Sequence, residues 1–108
     1  MDRRGGRKRA RVQKHNAVMR TPRAPKHLSR ESKRLWRLVA PRLQPEGLPL
    51  LAEALEALDR SRQAAELVRR EGLVLNGKPH PAARIEKEAR SLFVRCWKAL
   101  GLDLPPDV

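Results

Sequence analysis

The chain has 108 residues and carries 25 Lys/Arg against 12 Asp/Glu, a formal net charge of +13. That length fits one domain. A single cysteine excludes an internal disulfide framework and fits a cytosolic setting. No apolar run approaches the ~18 residues of a membrane-spanning helix, and the start of the chain lacks the apolar core of a signal peptide.

The charge is unevenly spread. Residues 1–27 hold ten Lys/Arg (Arg3, Arg4, Arg7, Lys8, Arg9, Arg11, Lys14, Arg20, Arg23 and Lys26) against Asp2 alone, whereas the remainder holds fifteen against eleven acids. Such asymmetry points to a polyanionic partner, with DNA or RNA ahead of a membrane surface. Aromatic residues are scarce, only Trp36, Phe93 and Trp97. Single-strand binders stack bases on exposed aromatic rings. Here all three are better used in a core, so duplex backbone binding is the favoured mode.

Residues 1–27 show no apolar periodicity, and Gly5-Gly6, Pro22 and Pro25 mark a basic arm that is flexible in isolation. Its bland reading is a solvated tail. Its functional reading is an electrostatic footprint for nucleic acid, rich in Arg, whose fork suits phosphate. Ser29 can cap a first helix over 30–43, with Leu35, Trp36, Val39 and Leu43 facing the core. Arg30, Lys33, Arg34 and Arg37 form the opposite ridge at i, i+3, i+4, i+7, and Glu31 is the only acid in the helix. That ridge is either an ordinary solvated face or a second DNA contact. Pro41 is placed to kink or end the helix early.

A second helix is expected over 50–71, with Leu51, Ala54, Leu55, Leu58, Ala65 and Val68 on its apolar face and Glu53, Glu56, Asp59 and Arg60 largely on the other side. Gly72 should stop it. Leu73-Val74-Leu75, Asn76-Gly77 and Lys78-Pro79 then read as a small β-hairpin. His80-Pro81 begins a third helix over 81–100, with Ile85, Ala89, Leu92, Phe93, Cys96 and Leu100 on one stripe. Val94 and Trp97 fall off or at the edge of that stripe, where they would suit a subunit contact. The fold class is therefore all-α. It comprises a basic arm (1–27), a three-helix domain with a small β-hairpin between the second and third helices (28–104), and a short tail (105–108).

No catalytic constellation is visible. His15, His27, His80 and Cys96 lack paired metal-ligand spacing, and there is no phosphate-binding GxxxxGK[ST] loop. His80 reads as a residue that caps or packs at a helix start. Enzyme activity, cofactors and metals are not expected.

With these elements in place, the chain resembles the P27-type family of phage terminase small subunits. The resemblance is carried by Ala24-Pro25-Lys26-His27-Leu28-Ser29, Glu31, Leu35-Trp36 and Pro41-Arg42-Leu43. It continues through Gly47-Leu48, Gly72-Leu73-Val74, His80-Pro81-Ala82 and Leu100-Gly101-Leu102. These pieces lie in order over residues 24–105. The resemblance implies a ring-forming homo-oligomer that binds double-stranded viral DNA in the cytoplasm of an infected bacterial host. It further implies presentation of that DNA to a large ATPase/nuclease subunit, which the small subunit regulates. It does not cover the arm before Ala24, and little tail remains for docking the large subunit. Two other classes stay open: a general nucleic-acid-binding or nucleoid-type protein, and a protein-binding adaptor whose arm meets an acidic partner.

Overall fold

The computed structural model describes residues 21–103. The basic positions Arg3, Arg4, Arg7, Lys8, Arg9, Arg11, Lys14 and Arg20, and the expected tail, lie outside them.

Helix α1 spans Arg30–Val39. The Ser29 hydroxyl accepts from the Ser32 N–H at 3.1 Å, satisfying one of the orphan donors of the first turn. The helix ends four residues earlier than its apolar spacing predicts. A proline ring at position 41 would clash with the Arg37 carbonyl if the helix continued, and it has no N–H to give. The chain instead tightens into a 3-10 turn over Ala40–Arg42, which places Leu43 in extended backbone. A second 3-10 turn, Pro45–Gly47, reverses direction into helix α2, Leu48–Glu71. Gly47 fits closely at this corner: a Cβ there would stand 3.3 Å from a Leu100 methyl.

At 24 residues, α2 is about 36 Å long. Gly72 closes it, with φ +90° and an N–H that donates to the Val68 carbonyl at 2.7 Å. Strands β1 (Val74–Leu75) and β2 (Lys78–Pro79) pair antiparallel, Val74 with Pro79 and Leu75 with Lys78. Asn76 (φ +54°) and Gly77 (φ +75°) both adopt positive φ, as a two-residue turn of the type matched to strand twist requires. Helix α3, Pro81–Ala99, follows at once. His80 caps it: Nδ1 accepts from the Ala82 N–H at 2.9 Å, which leaves Nε2 as the donor to Glu71 at 2.6 Å. Thus one buried imidazole ties the end of α2 to the start of α3. At the other end Gly101 N–H bonds the Lys98 carbonyl and Leu102 N–H the Trp97 carbonyl, the paired bonds of a Schellman stop.

The core lies where α1 covers the first half of α2 and the last turns of α3. It contains Leu28, Trp36, Val39, Leu51, Leu55, Leu58, Phe93, Cys96 and Trp97. Burial pushes the Cys96 thiol above its ordinary pKa, and the charge of Glu53 adds to the effect. Beyond α1, among the described residues, the two long helices cover only each other, and small residues (Ala64, Ala82, Ala89) let them approach.

Four expectations are corrected. Trp97 is 3 % exposed and no surface contact residue. Its ring packs against Phe93 at 5.2 Å between centroids, and its Nε1–H donates to the Asp103 carbonyl. The turn after α3 folds back over it, which stripe counting along one helix does not register. Val94 is half-buried against the same core. Ile85, expected inside, is exposed because, among the described residues, the two-helix portion has no third element to cover that face. Residues 21–27, assigned to the flexible arm, pack on the body through Ala24, a Pro25–Leu28 turn and the Trp36 indole.

Candidate nucleic-acid interface

The position of α1 is set by one carboxylate. Asp59 on α2 accepts the Ser29 N–H at 2.8 Å, the Ser29 hydroxyl at 2.6 Å and the Ser32 hydroxyl at 2.6 Å. Ser32 is fully buried. A negative charge at a helix N-terminus also complements the helix dipole. Asp59 is therefore an anchor, although its spacing puts it away from the apolar face of α2.

With its N-terminus fixed, α1 turns Arg30, Lys33, Arg34 and Arg37 outward. Arg30, Arg34 and Arg37 are exposed and Lys33 is half-buried. Among the described residues none of the four has a hydrogen-bond or ion-pair partner. The nearest acids are engaged elsewhere: Glu31 with Arg62 at 3.4 Å, Glu56 with His27 at 2.7 Å, and Asp59 with the two serines. Most arginines of the long helices behave differently, Arg60 and Arg95 excepted. Arg69 is paired with Glu66 at 3.0 Å, Arg84 with Glu88 at 2.9 Å and Arg90 with Glu86 at 2.8 Å. The Arg69 partnership holds the Glu66 carboxyl below its usual value and raises the guanidinium.

Lys33 and Arg37 also line a groove of about 590 Å³ together with Arg23 and Lys26 from the segment before α1. Trp36 and Pro41 contribute apolar lining, and no carboxylate lines the groove. Two neighbouring grooves at the α1–α2 junction contain Glu31, Asp59 and Glu66, or Glu56 and Asp59. An anion is therefore favoured only in the first of these three. Six of the sequence-predicted DNA contacts are described. Four of them (Arg23, Lys26, Lys33, Arg37) converge on the groove, and Arg30 and Arg34 lie along α1 outside it. The part played by Trp36 was not legible. Helical periodicity assigns it to the core, where it is, and carries no sign that its ring edge also lines a basic groove.

Among the described residues no cluster of three or more His, Cys, Asp or Glu is placed to hold a metal, and no helix is long and apolar enough to cross a membrane. Comparison with protein-family models, curated proteins and solved structures returns no match.

Proposed function

We propose that this chain is a terminase small subunit, a phage DNA-packaging protein that binds viral duplex DNA as a ring-shaped homo-oligomer. In that role it presents the duplex to the large ATPase/nuclease subunit and regulates it. The observation that carries the binding half of this reading is the unpartnered basic ridge of α1, continued by Arg23 and Lys26, beside a body whose other arginines are largely paired. Leaving several cations unpaired on one face is unfavourable through mutual repulsion and is relieved by a polyanion. The packaging half rests on the ordered resemblance over residues 24–105. A nucleoid-type protein uses the same ridge. It differs in assembly and in having no effect on a large terminase subunit.

The mechanism is non-covalent. Each Lys or Arg that neutralises a phosphate releases condensed counterions, and assembly multiplies the contacts. The four groove cations alone give a slope of about −3.6 in log K against log salt, and any contacts from residues 1–20 steepen it. Titration of the full chain with a labelled duplex at several salt concentrations tests this, with an acidic polypeptide as control. Duplex binding that is weak and insensitive to salt, or equal affinity for the acidic polypeptide, contradicts the reading.

A further inference from the structure

The cations of the groove come from two stretches of backbone that pack together through Ala24 and are joined by a hydrogen bond from Trp36. Arg23 and Lys26 precede α1, whereas Lys33 and Arg37 are one turn apart on it. Trp36 lies on the same helix with its ring buried, and its Nε1–H donates to the Pro22 carbonyl at 2.9 Å. This bond clasps the segment at 22–26 to α1 and so brings the two cation pairs to one groove.

The lining also has two chemistries. Four cationic side chains share the lining with Trp36 and Pro41. A flat basic ridge meets phosphate by charge alone. A groove with apolar lining can in addition cover the apolar faces of deoxyribose, which alternate with phosphates along a strand. Four cations with no carboxylate among them call for a polyanion, since a single phosphate occupies only one or two.

We propose that this groove seats the sugar–phosphate backbone of one strand of the duplex, with Trp36 as the positioning residue that holds Arg23 and Lys26 alongside Lys33 and Arg37. The inference rests on the duplex-binding reading and deepens it: the contact is a one-strand seat, and the indole N–H is part of its construction. Arg30 and Arg34 belong to the ridge outside the seat.

The test uses the full chain and a labelled duplex, with log K measured against log salt for each variant. R23A/K26A and K33A/R37A replace exposed or half-exposed side chains, and each is expected to flatten the slope by about 1.8, two contacts' worth. W36F retains an aromatic ring and the apolar lining but removes the donor to Pro22. It is expected to flatten the slope as R23A/K26A does while helix content by circular dichroism stays at the wild-type value. R30A/R34A reports the ridge separately. If R30A/R34A loses slope while both groove pairs keep the wild-type value, the seat is overturned and the duplex reading stands. A wild-type slope in W36F overturns the positioning role. A wild-type chain that binds no duplex overturns both the seat and the reading beneath it.

Discussion

Asp59 is the residue on which the geometry of the interface depends. Its two oxygens take three donors from the first turn of α1, and one of them, the Ser32 hydroxyl, has no access to water. Removing the carboxylate leaves that hydroxyl buried without its acceptor and strips a capping anion from the helix start. D59A is therefore expected to destabilise the fold by about 2 kcal/mol, and the melting temperature should fall by roughly 10 °C in a domain of this size. A melting temperature within about 2 °C of wild type would show that α1 is held by apolar packing alone. His80 plays a comparable part at the far end, where its two ring nitrogens serve different partners. Its role as a cap follows from the His-Pro helix start. The Glu71 bond does not, because it pairs residues nine apart across a hairpin.

At the scale of elements, local chemistry made most of the chain legible. Ser29, Gly72, Asn76-Gly77, His80-Pro81 and Gly101 each act where they should, since caps and turns are decided within a few residues. The two long helices, the hairpin between them and a mostly helical fold follow from these signals and from apolar spacing. What was hidden depends on neighbours distant in sequence. Trp97 is covered by the turn after its own helix, Ile85 is left bare because α1 does not extend over it, and residues 21–27 pack on the body through Ala24 and the Trp36 bond to Pro22. Of the candidate interface, the ridge on α1 was readable from its i, i+3, i+4, i+7 spacing. Its convergence with Arg23 and Lys26 was not. The hairpin offers a direct test of the turn geometry. Gly77 at φ +75° has open space around its missing Cβ, so G77A meets backbone strain and no clash. It should cost about 1 kcal/mol, visible as a small drop in denaturation midpoint with the slope unchanged. A midpoint equal to wild type would contradict the assigned turn.

For the whole molecule, the two ends differ in character. At one end α1, the preceding segment and the core form a packed body with an unpaired basic face. At the other, α2 and α3 cover only each other and carry a hairpin on which Leu73 is 68 % exposed and Val74 65 %. The far half is also net positive, but Arg69, Arg84 and Arg90 there are each paired with a glutamate, whereas the cations of the α1 ridge are not. Among the described residues a single copy offers the groove cations and the α1 ridge to phosphate. The proposed terminase role calls for several copies acting on one duplex, which multiplies these contacts. Native mass spectrometry of the full chain, alone and with duplex DNA, tests this claim most directly. The account predicts a discrete oligomer that takes up duplex DNA. A strict monomer in both states would contradict it.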